Sequence, residues 1–159
     1  MAGKLRIALV GCARTKRRQR APAAELYTSP LFQRTREYVE ESPDYFAWHI
    51  LSAKHELVAP DELLEPYDLT LADLTPAERA AWGRRVSAAL VAKYAGARAS
   101  GVDVWFDLYG GSHYRRPLVP ELTRAGFRVA VPLAGLRIGQ QLAWLNRALT
   151  RTTPLWPAP

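Results

Sequence analysis

The sequence predicts a single α/β domain in which helices flank a mainly parallel, four-stranded sheet in a Rossmann-like, three-layer arrangement. Four short runs of β-branched, aliphatic and aromatic residues alternate along the chain with segments of helical period, and helix start signals stand between them. Right-handed crossovers between parallel strands place helices on both faces of a sheet, so this alternation favours a parallel arrangement. We expect the domain to cover residues 1–150 and residues 151–159 to form a loosely ordered tail.

The first half of the chain contains two predicted strands with one helix between them. Residues 5–10 form an aliphatic run closed by glycine, which is typical of a buried strand. Residues 13–28 are predicted to be a loop, because a run of arginine and lysine is followed by proline and small residues. The Ser-Pro pair at residues 29–30 provides an N-cap and a first helical position for a helix that extends to about residue 41. The second strand covers residues 45–52.

The second half begins with the clearest helix signal of the sequence. Thr75-Pro76-Ala77-Glu78 forms a capping box with proline at the first helical position, and the helix that it opens extends to about residue 98. The remaining elements are predicted in this order: a third strand over residues 102–109 that ends in two glycines, a proline-broken helical segment to residue 125, a fourth strand over residues 128–133 and a last helix over residues 138–149.

The composition excludes several classes of protein and favours an anionic partner. The 159 residues carry a formal net charge of +7, which favours nucleic acid, nucleotides or phosphorylated small molecules, while an arginine-rich composition from a GC-rich genome explains the charge equally well. The single cysteine cannot form an internal disulfide and the first residues lack a secretory signal, so we expect a cytoplasmic protein. No apolar run approaches the roughly 20 residues that cross a bilayer. The three histidines are not at zinc-ligand spacing, and we expect neither a metal nor a cofactor.

Residues suited to binding a ligand follow the predicted strands. Cys12 follows the first strand, Ser52 ends the second, and Gly110 and Gly111 follow the third. Ligands of open α/β sheets bind beyond the carboxyl ends of the strands, so we expect these residues to meet at one edge of the sheet. The alternatives are an inert, buried cysteine and an ordinary strand-to-helix turn at the glycine pair.

Titratable side chains after the second strand supply candidates for proton transfer. The candidates, together with a lysine of the first loop, are Lys16, Lys54, His55, Glu65, Tyr67 and Asp68. A carboxylate, a phenol and an amine that lie together shift one another's pKa and can act as acid and base. The structural alternative is that the carboxylates cap backbone amides and the tyrosine packs.

Two further segments could bind phosphate. Gly139 and Gln140 begin the last helix, whose N-terminal amides are free to bind an anion. Five basic residues in the first loop could contact a nucleic-acid backbone, although a solubilising loop explains them almost as well. These residues are Arg14, Lys16, Arg17, Arg18 and Arg20.

Four blocks of the sequence resemble a family of small uncharacterised bacterial and phage proteins. The blocks are GCARTK (11–16), LYTSPLF (26–32), ILSAKHELVAPDELLEPYDL (50–69) and PLAGLRIGQQLAWL (132–145). More distantly, the third block and Tyr114 resemble the peroxide-stress protein YaaA family, whose members are associated with DNA binding. The first two blocks are similar to the core of archaeosine synthase, which acts on a deazaguanine base in tRNA. His55-Glu56 departs from the Tyr-Gly or His-Gly that the first family commonly shows at this turn.

The residues and the resemblance together predict an enzyme that binds a nucleotide, a nucleoside or a base within nucleic acid. We expect it to act on the base or its N-glycosidic bond, as a glycosylase, hydrolase or base-modifying transferase. The predicted catalytic residues are Lys16, Glu65 and Asp68, and the predicted substrate-binding residues are Cys12, Tyr27, Ser52, Lys54, His55, Tyr67, Gly110, Gly111, Tyr114, Gly139 and Gln140. The alternatives are a non-catalytic DNA-binding stress-response protein and a nucleotide-binding module without chemistry.

Overall fold

The computed structural model describes residues 3–152, which fold into an α/β domain around a five-stranded sheet. Four of these strands are parallel and one edge strand is antiparallel. In chain order the elements are β1 (Lys4–Gly11), β2 (Ala21–Pro22), α1 (Ala23–Leu26), α2 (Pro30–Glu41), β3 (Ala47–Ser52), β4 (Glu56–Val58), β5 (Leu63–Leu64), a 3-10 turn (Leu71–Asp73), α3 (Pro76–Ala99), β6 (Asp103–Tyr109), α4 (Ser112–Arg124), β7 (Arg128–Ala130) and α5 (Ile138–Thr152).

The strand order β4-β3-β1-β6-β7 places β1 at the centre of the sheet. Its side chains alternate between two hydrophobic clusters, because successive residues of a strand point to opposite faces. Ile7 and Leu9 belong to the cluster that includes α3 and α4, whereas Ala8 and Val10 belong to the cluster that includes α2 and α5. All four are at most 2% exposed. Helices therefore pack on both faces, which explains why the predicted first strand is apolar throughout rather than alternating.

The predicted helix starts at residues 29–30 and 75–78 are confirmed in atomic detail. The Ser29 hydroxyl accepts a hydrogen bond from the amide of Phe32 at 3.2 Å, and proline follows at the first position of α2. Thr75 and Glu78 form the expected capping box of α3, in which each side chain accepts from the backbone amide of the other residue. These local hydrogen bonds fix both helix starts without help from distant residues.

The α/β class and the mainly parallel sheet are confirmed, but the sheet has five strands where four were predicted. The fifth strand, β4, turns back after β3 and pairs with it antiparallel. The turn needs a left-handed residue, and Glu56 adopts it with φ of 64°. Arg85 of α3 holds the Glu56 carboxylate through hydrogen bonds of 2.9 and 3.0 Å. The sequence signal failed here because glycine or asparagine usually marks such a position.

The prediction that residues 13–28 form a loop throughout is wrong. This segment contains β2 and α1, and Lys16 makes an isolated bridge with Tyr27. Its backbone finds hydrogen-bond partners far along the chain, since the amide of Ala23 donates to the carbonyl of Glu62. Such long-range pairing leaves no periodic pattern in the segment itself.

Three predicted boundaries in the second half also change. The helix after the third strand is not broken at its prolines, because α4 runs continuously through Pro117 and Pro120 while packing against α3. The last strand, β7, ends at Ala130 rather than at residue 133. The last helix, α5, reaches Thr152, so residues 151 and 152 are helical rather than part of a tail, and the remainder of the predicted tail, residues 153–159, lies outside the described residues.

The chain order creates a topological switch point at the centre of the sheet. The connection from β1 to β3 runs through α2 on one face, and the connection from β3 to β6 runs through α3 on the other face. The first connection leads from β1 to its neighbour on one side, and the second passes back across β1 to its neighbour on the other side, so a crevice opens beyond the carboxyl ends of β1 and β6. The sheet topology thus indicates that a ligand would bind at this edge of the molecule.

Candidate functional site

A cleft of about 230 Å³ lies at the switch point. Residues 10–13 at the carboxyl end of β1 and residues 108–111 at the carboxyl end of β6 form its floor. The starts of α2 and α4 and the segment between β7 and α5 form its walls. Ligand pockets typically measure about 300–1,000 Å³, so this cleft suits a small ligand or one part of a larger one.

Small residues and one tyrosine shape the floor of the cleft. A Cβ atom added at Gly11 would lie 3.0 Å from the ring of Tyr114, and one added at Gly110 would lie 3.1 Å from it. A side chain at either position would therefore crowd the ring that packs against the strand ends. At Gly111 an added Cβ would meet open space, because this residue faces the cleft.

Cys12 and Tyr114 are hydrogen bonded at the edge of the cleft. The Tyr114 hydroxyl donates to the carbonyl oxygen of Cys12 at 2.9 Å, and the Cys12 Sγ atom lies 3.2 Å from the same hydroxyl. Because the hydroxyl proton already goes to the carbonyl, the thiol is the donor in the second contact. Burial raises the pKa of Tyr114 well above its ordinary value, so the phenol stays protonated.

Beside Cys12 lies a second group of predicted residues, the lysine–tyrosine cluster, which comprises Lys16, Tyr27, Ser52 and Tyr67. The Ser52 hydroxyl accepts from the amides of residues 54 and 55 and lies 2.7 Å from the Tyr67 hydroxyl. The Tyr67 hydroxyl also lies 2.5 Å from that of Tyr27. Lys16 places its Nζ atom 4.3 Å from the centre of the Tyr67 ring. Residues 50–69, one of the four blocks that carry the family resemblance, and residues 13–28 thus both contribute side chains to this polar cluster.

The environment of the lysine–tyrosine cluster shifts the pKa of its members in opposite directions. Burial lowers the pKa of Lys16, while the nearby Cys12 and Asp68 partly oppose this effect. Burial raises the pKa of Tyr27 to about 12 and that of Tyr67 well above its ordinary value. The tyrosines therefore remain hydrogen-bond donors at neutral pH, and the lysine is the cluster member that loses its proton most easily.

The two predicted catalytic carboxylates lie outside this cluster on the surface. The Glu65 side chain is 76% exposed and lies 4.0 Å from Arg20, and the Asp68 side chain is 89% exposed and lies 3.6 Å from Arg14. Neither residue lines the cleft. Asp68 pairs with Arg14, whose carbonyl oxygen accepts a hydrogen bond from the Lys16 amine at 3.0 Å, so Asp68 lies on the cluster side of the loop. The structure brings Lys16 and Asp68 into the same region and leaves Glu65 farther out.

The other predicted binding residues divide into neighbours of the cluster and surface positions. The His55 ring packs edge-on against Tyr67 with centroids 5.2 Å apart, and Lys54 places its Nζ atom 5.9 Å from that ring. At the start of α5, Gln140 accepts a hydrogen bond from the amide of Arg137, so its side chain caps the helix. Gly139 is exposed and does not line the cleft.

Arg115 is a lining residue that the sequence analysis missed. It stands in the first turn of α4 beside Gly111, and its Nε atom is shielded from solvent without a hydrogen-bond partner within residues 3–152. Its position in the helix, four residues after Gly111, could have indicated that it faces the ligand side, since residues four apart share a helix face. Tyr109 and Gln141 are further lining residues that were not predicted.

Behind Tyr109 a buried polar network supports the floor of the cleft. The Tyr109 hydroxyl lies 2.5 Å from that of Tyr45, which donates to the Asp107 carboxylate at 2.7 Å. Asp107 is 1% exposed and also pairs with Arg6. Because the Tyr45 proton goes to the carboxylate, Tyr109 is the donor to Tyr45, and the chain of hydrogen bonds holds the tyrosine ring in place.

Residues 3–152 contain no group of three or more His, Cys, Asp or Glu side chains arranged to hold a metal ion. In the same part of the chain, no helix has the length and apolar character that a bilayer crossing requires.

Comparison with protein-family models matched residues 7–147 to a model described as a family of unknown function (DUF6884). Neither the curated proteins nor the solved structures include a match to the chain. The family match covers the cleft, the lysine–tyrosine cluster and both hydrophobic clusters.

Proposed function

This chain belongs to the DUF6884 family of unknown function, and we propose that it is an enzyme that binds a nucleotide, a nucleoside or a base within nucleic acid. It acts on the base or on its N-glycosidic bond. The observation that carries this proposal is the position of the cleft at the switch point, with the lysine–tyrosine cluster beside it. The distant resemblance to the YaaA family and to the archaeosine synthase core supports the same substrate class. The Rossmann-like layering and a cytoplasmic setting are part of the same proposal.

The cleft supplies the surfaces that a nucleobase and its sugar require. Apolar side chains from β1, α2 and the segment before α5 offer a surface for the base, and the backbone at Gly110 and Gly111 offers donors for polar groups. Tyr109 and Tyr114 contribute aromatic surface at the floor. Its volume of about 230 Å³ favours one base or nucleoside over a dinucleotide.

The lysine–tyrosine cluster supplies the acid–base chemistry. Lys16, whose pKa burial lowers, donates a proton to the leaving base, and Tyr67, held by the buried Tyr27, donates a hydrogen bond to the substrate. Asp68 lies close enough to act on Lys16 and stabilises positive charge that develops on the sugar or base. Glu65 has the same proposed role from the outer part of the loop.

The test is turnover of nucleosides, nucleotides and short oligonucleotides, followed by chromatography for released base or altered nucleoside. Lys16→Met and Asp68→Asn are expected to abolish turnover while changing the melting temperature little, because both side chains are at least partly exposed. Asp61→Asn, an exposed acidic position outside the cluster, is the matched control and keeps full turnover. No binding and no product with any of these substrates would reject the proposal.

A second candidate function, non-catalytic DNA binding, is favoured by the surface of the first loop. Arg17 and Arg18 are exposed and make no ion pair within the described part of the chain, whereas Arg14 and Arg20 face acidic side chains. Each phosphate that a protein neutralises steepens the salt dependence of binding. A steep salt slope of duplex affinity that is lost in an Arg17→Gln, Arg18→Gln double variant would favour this function, and no affinity at low salt would reject it.

A further inference from the structure

The charge of the cleft selects the kind of ligand that it can hold. Among its described lining residues there is no Asp or Glu, and Arg115 is the one Arg or Lys. An anion that enters the cleft therefore meets a guanidinium and no competing carboxylate. The net charge of +7 adds long-range attraction for the same kind of ligand.

Arg115 has unused capacity for binding an anion. Its side chain lines the cleft and forms no ion pair with a carboxylate of the described residues 3–152. A guanidinium hydrogen bonds best to the paired oxygens of a carboxylate or phosphate. An anion in the cleft would therefore pair with a guanidinium charge that no carboxylate of the described residues neutralises.

The backbone next to Arg115 adds donors of the same kind. Gly111 occupies the N-cap position of α4 and contributes no side chain to cover the first amides of the helix. An added Cβ at this position would meet open space, so a ligand can approach the backbone closely. Amides at a helix start favour an anion both through hydrogen bonds and through the helix dipole.

We propose that the ligand of the cleft carries a phosphate monoester, so that the substrate class is a nucleoside monophosphate rather than a neutral nucleoside. Arg115 and the amides at the start of α4 hold the phosphate, and the apolar walls hold the base. The inference rests on the proposed function for the nucleoside part, whereas the anion-binding part stands on the cleft itself.

The test is calorimetric titration with the four common ribonucleosides, their 5′-monophosphates and inorganic phosphate. The monophosphates are expected to bind about 10- to 100-fold more tightly than the nucleosides, which is the range of one charge-assisted hydrogen bond. Arg115→Gln is expected to remove this advantage, and Arg115→Lys, which keeps the charge without the planar guanidinium, to retain part of it. Arg116→Gln, the adjacent exposed arginine of α4, is the matched control and keeps the full advantage.

The outcomes separate this inference from the proposed function. Equal affinity for nucleosides and monophosphates, or an advantage that survives Arg115→Gln, overturns the phosphate site and leaves nucleoside chemistry standing. Binding of inorganic phosphate, with no binding of nucleosides and no tighter binding of the monophosphates than of inorganic phosphate, supports the phosphate site and contradicts the proposed function. If neither phosphate nor a monophosphate binds, the inference is wrong.

Discussion

Acid should destabilise this protein through one buried histidine. His49 of β3 is 6% exposed, and its Nε2 atom lies 2.6 Å from the hydroxyl of Tyr94 of α3. Burial raises the pKa of Tyr94 to about 12, so the tyrosine keeps its proton and donates it to a neutral imidazole. Burial, with a smaller contribution from the charge of Lys93, lowers the pKa of His49 from 6.5 to about 4.

The direction and size of the effect follow from this pKa. Between pH 6.5 and 4 the unfolded chain binds a proton at His49 that the folded chain excludes, so the free energy of unfolding decreases as the pH falls. At about 1.4 kcal/mol per pKa unit, the difference from 6.5 to about 4 amounts to about 3 kcal/mol. About 2 kcal/mol of this is already lost at pH 5.

Urea unfolding of the wild type and of His49→Gln at pH 7.5 and pH 5 measures the effect. Glutamine keeps an acceptor for Tyr94 but does not titrate, so the variant should lose about 2 kcal/mol less than the wild type between these two values. Other groups titrate identically in both proteins, and the difference isolates the histidine. The same loss in wild type and variant would show that His49 does not exclude its proton in the folded state.

Two further predictions concern packing, and urea unfolding at neutral pH tests both. Gly83→Ala should destabilise by about 1–3 kcal/mol, because the new Cβ would lie 2.7 Å from the backbone oxygen of Pro117 in α4. In the same helix, the Cβ of Gly96→Ala would meet open space, so this variant should be neutral or stabilising by up to about 1 kcal/mol. Equal effects at the two positions would contradict the close contact of α3 with α4. Asp107→Asn should cost about 3 kcal/mol because it removes a buried charge partner, whereas Asp103→Asn breaks an exposed pair on the same strand and should cost at most about 1 kcal/mol. A small loss for Asp107→Asn would mean that its network adds little to the fold.

Elements with a local cause were predictable from the sequence. Ser29 and Thr75 carry their cap hydrogen bonds within three residues, and the aliphatic run of β1 needs only its own composition to indicate a buried strand. Elements with a distant cause were missed. The strand β4 depends on a left-handed Glu56, and the short elements of residues 21–26 depend on backbone partners at residues 60–64. Sequence periodicity carries no information about such partners.

The candidate site was likewise predictable from the sequence only in part. The meeting of Cys12 with Gly110 and Gly111 was predictable from their places after parallel strands, because such strands end at one edge of the sheet. The exposure of Glu65 and Asp68 did not follow, since residue type does not reveal which way a loop side chain points. Arg115 was missed because its importance lies in facing the cleft without an ion pair, which only the packing around it reveals.

The turn at Glu56 has a consequence for the history of the family. A glutamate at φ of 64° has a strained backbone. The two hydrogen bonds that its carboxylate accepts from Arg85 of α3 offset this strain. A descendant that acquired glycine at position 56 would relieve the strain and free position 85 to drift. The two positions should therefore have changed together as the lineages diverged, with glutamate inherited alongside arginine and glycine alongside an unconstrained residue.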